Sequence, residues 1–365
     1  MRKISVNLIT VTVCALLLVV GMVWVLVRPH DAVSKAERRY LKQFPETTLA
    51  TVMNGQWMDG LEDFLLDQFP MRDSFRRLKA TVQNKIFGQK DNNGVYLYGE
   101  HVGKLEYPMK ENSVLSAAEK IEKVREKYLA DTDCKVYAAV IWDKNAYLAP
   151  EAGRPSMDYA RLQTMYFDAL PWAECIDLSD TLTLDSFYST DPHWRQECLT
   201  PVLERLGETM GFETKWSYET ESFAPFYGAY YGQSAVQPTP DTILCLHNEV
   251  LDGCVDHNLE KNTETGLYRP ELLDGMDGYD VFLGGACALQ ILKNPNGTTG
   301  RELVLFRDSF GSSIAPLLLE QYDAVTLVDL RYISADYVGQ FVEFTDQDVL
   351  FLYSTLILNN SEALR

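Results

Sequence analysis

Basic charge is what this sequence has least of for its size: 33 Lys and Arg stand against 52 Asp and Glu, a net charge of −19. Binding to a phosphate backbone draws its affinity from Lys and Arg displacing counterions, so nucleic acid is not an expected partner. Histidine is also scarce, with five in the chain, and none stands at zinc-ligand spacing. The seven cysteines form no Cys-X-X-Cys pair, which argues against a structural metal. No Gly-rich phosphate loop, internal repeat or low-complexity tract is visible. Neither a nucleotide nor a metal cofactor is therefore expected. Cys14 falls in an apolar run, while Cys134, Cys175, Cys198, Cys245, Cys254 and Cys287 are scattered. A Cys245–Cys254 disulfide and six separate thiols are both compatible with that spacing.

Charge is missing altogether from Ile4 to Val27, 24 residues dominated by Ile, Leu, Val and Met. A hydrocarbon core needs about 20 apolar residues in a helix, so this run predicts a membrane-spanning anchor. A cleaved signal peptide would carry a shorter apolar region and a small-residue cleavage site, and neither is found before Arg28. Arg2 and Lys3 precede the run and Arg28 alone follows it. The positive-inside bias then places the N-terminus in the cytoplasm and the rest of the chain outside.

Beyond the anchor there is ample apolar material for a large core, since 46% of the chain is hydrophobic. Three segments are expected: 1–28 as anchor, 29–90 as a helical stalk or packing arm, and 91–365 as an α/β domain. In the arm, Leu61, Phe64 and Leu65 precede the breaker Pro70, and Phe75, Leu78, Val82 and Ile86 follow it at helical spacing. After Gly94, short apolar runs alternate with helical patterns, which is the pattern of a mostly parallel sheet covered by helices. Strands are predicted near Lys135 to Ile141, Cys175 to Leu178, Leu303 to Phe306, Ala324 to Val328 and Val349 to Tyr353. Helices are predicted from Ser113 to about Tyr128, from Trp194 to Met210, and after Gly311. The stretch from about Ser217 to Pro270 has no clear period and is expected to loop over one end of the sheet.

Two segments carry candidate chemistry. In Leu303 to Ser313 a buried-strand pattern breaks at Arg307-Asp308-Ser309 and resumes as the helical Ile314, Leu317 and Leu318. Ser309 is thus predicted at the junction of a strand end and a helix start, where ligands bind in open α/β sheets and free N–H groups stabilise an oxyanion. A plain helix cap is the alternative use of a serine there. The second segment is Ser189-Thr190-Asp191-Pro192-His193-Trp194. On extended backbone Asp191 and His193 point the same way, so the carboxylate can orient the imidazole as a base for Ser309. Asp-Pro also reads as a cap and first turn of the helix expected from Trp194, but capping accounts for neither His193 nor Trp194.

Asp191-Pro192-His193-Trp194 resembles the signature of the DHHW proteins, and Arg307-Asp308-Ser309-Phe310 resembles their downstream Lys-Asp-Ser-Tyr type block. Further likenesses run in the same order along the chain: Glu37-Arg38-Arg39-Tyr40-Leu41, Asp67-Gln68-Phe69-Pro70-Met71-Arg72-Asp73, Gly94 to Gly99, Phe226-Tyr227-Gly228-Ala229-Tyr230-Tyr231, Leu283-Gly284-Gly285 and Asp329-Leu330-Arg331-Tyr332. DHHW proteins are related to the alginate O-acetyltransferase proteins of the SGNH-hydrolase superfamily. The resemblance implies a three-layer α/β/α, flavodoxin-like domain and a triad of Ser309, His193 and Asp191. It also implies acyl-ester chemistry on extracytoplasmic glycans, with a membrane O-acyltransferase as the partner that supplies acetyl. Two positions depart from the pattern: Pro192 replaces the first His of the signature, and Ala286 stands where an Asn is expected after Leu283-Gly284-Gly285. An amide at 286 would donate to an oxyanion, and losing one such donor typically costs about 10²- to 10³-fold in rate. Backbone N–H groups at Ser309, Gly285 and Gly311 remain as donors, with Tyr227, Tyr230 and Arg331 as further oxyanion or substrate candidates. Ester hydrolysis, and a lapsed site serving as a glycan-binding subunit, are the competing functions.

Overall fold

The computed structural model describes residues 6–34, 37–92, 94–214, 217–234 and 238–365. The chain forms two compact units, 1–92 and 93–365. Arg2 and Lys3, which carry the orientation argument, lie outside the described residues.

In the first unit, helix α1 (Val6–Val27) is long and apolar enough to cross a membrane. Helices α2 (Gln56–Asp67) and α3 (Arg72–Thr81) follow, and α3 runs on through a π-turn to Ile86. The arm is not helical from its start: Val33–Ser34 pairs antiparallel with Arg39–Tyr40, and the backbone stays irregular up to Thr48. Two of the sequence blocks noted above interlock here. Arg39 grips the Asp67 carboxylate through both terminal nitrogens, at 2.7 and 2.5 Å, and Arg72 and Arg76 pair with Glu37. The Gln68 side chain accepts from Arg28 and the Asp31 amide and donates to the carbonyls of Asp31 and Lys42. Those bonds fasten the end of α2 to the residues that leave α1.

The second unit is built on eight strands: β1 (Lys135–Ile141), β2 (Glu174–Ile176), β3 (Val255–Asn258), β4 (Thr263–Thr265), β5 (Leu289–Lys293), β6 (Glu302–Arg307), β7 (Ala324–Val328) and β8 (Asp348–Ser354). Their order is β4-β3-β5-β7-β6-β8-β1-β2. The run from β7 to β2 is parallel throughout, and β5, β3 and β4 extend it as an antiparallel edge. Successive residues of the central strands feed opposite faces. Ala139, Leu305 and Leu350 pack with α6 (Thr200–Met210) and α7 (Gly311–Leu318), while Val140, Val304 and Phe351 pack with α4 (Glu111–Val124) and α5 (Tyr159–Asp168). Period-two side chains buried on both faces make the three-layer α/β/α architecture.

Two expectations fail. The stretch 217–270 is not a set of loops. It holds an antiparallel ribbon, Glu219–Phe226 with Asp241–His247, together with the edge strands β3 and β4. Glu219–Phe226 is exposed along most of its length and β3 and β4 are only four and three residues long, so these three show no apolar period. The helix expected from Trp194 begins only at Thr200, after a single 3₁₀ turn at Gln196–Cys198. Nearby side chains hold the Asp191–Leu199 backbone out of the helix: Trp194 Nε1 donates to Phe310 O and Ser313 Oγ, and Gln196 Nε2 donates to Ser313 O. Asp191 is therefore not a helix cap. All seven cysteines are free thiols, and Cys245 and Cys254 are buried without pairing.

Candidate active site

Strand β6 ends at Arg307, and a tight turn aims Ser309 out of the C-terminal edge of the parallel sheet. The buried Asp308 fixes that turn, since its Oδ1 accepts from Phe310 N at 3.0 Å and its Oδ2 from Ser354 N at the end of β8. The amides of Phe310, Gly311 and Ser312 are all engaged within the turn, Gly311 donating to Asp308 O and Ser312 to Ser309 O. Gly311 thus has no free N–H for a substrate, contrary to its candidacy. Its lack of a side chain matters instead, because a Cβ there would lie 2.6 Å from the Arg307 side chain. The Ser309 amide has no acceptor among the described residues.

Ser309 Oγ lies 2.8 Å from His193 Nε2, and His193 Nδ1 lies 2.6 Å from Asp191 Oδ1. The carboxylate can only accept, so Nδ1 carries the hydrogen and Nε2 is left to take the serine proton. Asp191 is fully buried and accepts also from the His193 amide at 3.1 Å and, through Oδ2, from Ala229 N at 2.7 Å. Ser309 remains part-exposed. The arrangement brings a hydroxyl, an imidazole and a carboxylate into one line of contacts at the strand ends, where β1 leads toward one edge of the sheet and β6 toward the other.

The segment Tyr227 to Tyr231 cradles this acid. Gly228 N donates to Thr190 Oγ1, Ala229 N to Asp191, and Tyr230 N to Thr190 O. Only glycine fits at 228, since a Cβ there would stand 2.3 Å from Thr190 O and 2.5 Å from Asp191 Cβ. Tyr230 is buried with its ring against Lys144, and Tyr227 is exposed, edge-on to Tyr231. Arg331 is drawn into a bidentate contact with Asp329 at 2.9 and 2.6 Å. Its guanidinium is therefore held by that carboxylate. Leu283, Gly284 and Gly285 all have positive φ, and a side chain on Gly285 would run into the Asp280 carboxylate. The Gly285 amide has no acceptor among the described residues.

Several residues here carried no signal in the sequence. Tyr279 stacks on the His193 ring, 3.9 Å between centroids and 5° from parallel, and donates from its hydroxyl to Ser313 Oγ at 2.8 Å. Lys144, just beyond β1, is buried and sends Nζ to the carbonyls of Tyr188, Ser189 and Asp191 at 2.8–3.0 Å. Burial pulls its pKa down to about 7, against the pull of Asp191, Asp241 and Asp143. Three carbonyl acceptors suit the three N–H groups of the ammonium form. Asp241 accepts from the amides of Ser189 and Thr190 and from the Thr190 hydroxyl. Lys144 and Asp241 together fix the loop that presents Asp191 and His193. Ser309, His193 and Asp191 were legible without the fold, whereas Tyr279, Lys144 and Asp241 were not.

No protein-family model and no curated protein matches the chain. Solved structures do. A DHHW family protein from Eubacterium siraeum aligns at 19% identity and TM-score 0.61, over 75% of this chain and 95% of its own. Bacillus cereus PatB1, solved with a sulfonyl adduct, aligns at 17% identity and TM-score 0.56, over 72% and 95%. At these identities what is shared is architecture: the three-layer fold of this chain is like that of the DHHW family protein from Eubacterium siraeum.

Proposed function

We propose that this chain is a membrane-anchored O-acetyltransferase that modifies an exopolysaccharide or cell-wall glycan outside the cytoplasmic membrane, with Ser309, His193 and Asp191 as its triad. The observation that carries this is the unbroken line of contacts from Ser309 Oγ through His193 to the buried Asp191. In the first half-reaction Ser309 Oγ attacks the acetyl carbonyl as His193 Nε2 takes its proton. The donor oxygen then leaves with that proton, and an acetyl ester remains on Ser309. In the second, a sugar hydroxyl gives its proton to His193, attacks the ester and restores Ser309. Asp191 holds the His193 tautomer and balances the imidazolium charge throughout. The unengaged Ser309 amide is suited to receive the oxyanion, with Gly285 as a second donor.

The sequence resemblance to DHHW and alginate O-acetyltransferase proteins supports acetyl transfer, and the charge bias of Arg2 and Lys3 against Arg28 supports the outward placement. Acetyl-coenzyme A is absent outside the membrane, so a membrane O-acyltransferase partner would pass acetyl across. PatB1 has been captured with a sulfonyl adduct, which makes a sulfonyl fluoride the probe to use on this chain.

Purified full-length protein should release acetate from an activated acetyl ester, form a Ser309-linked sulfonyl adduct and move acetyl to an oligosaccharide. Ser309→Ala should abolish all three. Release without transfer to any sugar would leave an acetyl esterase. Ala286, which offers no amide, favours one further reading, a lapsed site in a glycan-binding subunit. Inert wild type that still binds acetylated glycan would establish that reading and sink the enzyme.

A further inference from the structure

The apolar stripe of α3 does not do what its spacing suggests. Phe75, Leu78, Val82 and Ile86 recur every three or four residues and so share one helix face. That face points away from the first unit's own core. Phe75 is 53% exposed, Leu78 57% and Ile86 71%, with Met71 and Phe69 exposed at the head of the same stripe. The buried side of α3 is the opposite one, where Ala80 is fully covered and Arg72 and Arg76 turn to Glu37.

The charges around the stripe invert the balance of the whole protein. From Arg72 to Lys90 there are six basic residues and one acidic, Asp73, in a chain of net charge −19. Lys79 and Lys85 are exposed on the two flanks of the stripe, and Arg77 lies on the far side. The head of α3 is also tied to the point where the chain leaves α1: Gln68, three residues before Met71, bonds to Arg28 and Asp31.

We infer that α3 and its π-turn lie in the plane of the membrane beside the anchor, with the Phe75, Leu78, Val82 and Ile86 face among the acyl chains and Lys79 and Lys85 on anionic phospholipid headgroups. Exposed aromatic and aliphatic side chains bordered by lysines are what such an interfacial helix requires. The anchor supplies the lipid surface within reach, because the bonds from Gln68 hold the head of α3 to the end of α1. This inference rests on α1 crossing a membrane, and it is independent of the chemistry at Ser309.

The test uses full-length protein in vesicles of phosphatidylethanolamine and phosphatidylglycerol with radiolabelled acyl chains. The photoreactive p-benzoylphenylalanine is placed singly at Phe75, Leu78, Ile86 or Arg77. Flotation with the vesicles reports the anchor. Irradiation should join lipid to the chain from 75, 78 and 86 and much less from 77. Lys79→Glu with Lys85→Glu should lower the lipid adduct about five-fold or more, since each basic residue near an anionic surface contributes on that order. Adducts from 75, 78 and 86 to residues of the second unit or to another copy would overturn the inference, as would equal lipid labelling from 77. Failure to float would remove the anchor and the inference with it. Flotation without lipid adducts would remove the inference alone.

Discussion

Replacing Asp191 by Asn tests the electronic role of the buried acid with almost no change of shape. The carboxylate accepts hydrogen bonds from the His193 amide, from His193 Nδ1 and from Ala229 N. An amide oxygen aimed at His193 leaves the NH₂ facing Ala229 N–H, two donors 2.7 Å apart in the wild-type geometry. Turned about, the oxygen serves Ala229 while one hydrogen of the NH₂ goes to Nδ1, and the His193 amide and the second NH₂ hydrogen are left over. The second arrangement leaves fewer buried donors unpaired, so it should prevail. It forces the hydrogen onto Nε2, which then donates to Ser309 instead of accepting its proton. A serine triad put in this wrong tautomer loses about 10⁴ in kcat, close to 5.5 kcal/mol of barrier. Each unpaired buried donor costs about 1–3 kcal/mol of stability, a fall in Tm of several degrees for a domain of this size. Acetate release by Asp191→Asn, set against a Ser309→Ala floor and a melting curve, gives both quantities, and nitrogen NMR of His193 gives the tautomer. A folded variant within ten-fold of wild type would refute the assignment of Asp191.

Gly228→Ala should lower Tm, because a Cβ 2.3 Å from a carbonyl oxygen must push two backbone segments apart at about 1–3 kcal/mol. Acetate release should fall about 10²-fold as Asp191 moves with that loop. Tyr279→Ala should lower kcat by about 10²-fold by freeing the His193 ring, whereas Tyr279→Phe keeps the stack and should stay within a few-fold. Ala286→Asn should raise kcat by about 10²-fold if the amide reaches the oxyanion, and an unchanged rate would show that backbone N–H groups suffice. The hydrogen bond and charge of Arg39 hold the Asp67 carboxyl down to about 2, below its ordinary 3.8. A depressed carboxyl stabilises the fold above its unfolded pKa, so this contribution is present above about pH 4 and fades toward pH 2. Hydrogen-exchange protection over 56–81, taken relative to the intrinsic exchange rate at each pH, should fall across that window in wild type, and a much weaker pH response is expected in Asp67→Asn.

The sequence alone determined what depends on local periodicity. The uncharged run before Arg28 can only be a long apolar helix, and β1 and β7 occupy the residues their apolar runs indicate. It also placed Ser309 at a strand-to-turn junction and paired Asp191 with His193 by their spacing of two. Tertiary structure decided the rest. The exposed strand Glu219–Phe226 and the short strand β3 take their hydrogen bonds from partners more than a dozen residues along the chain, and no local period records that. The backbone from Asp191 to Leu199 stays out of a helix because Trp194 and Gln196 are bonded to residues 310–313 more than a hundred positions away. Tyr279 above the His193 ring and Lys144 beneath the 188–191 loop are likewise products of the fold. The helical spacing of Phe75 to Ile86 predicted an apolar face correctly, but burial depends on what lies opposite that face, and spacing carries no information about it.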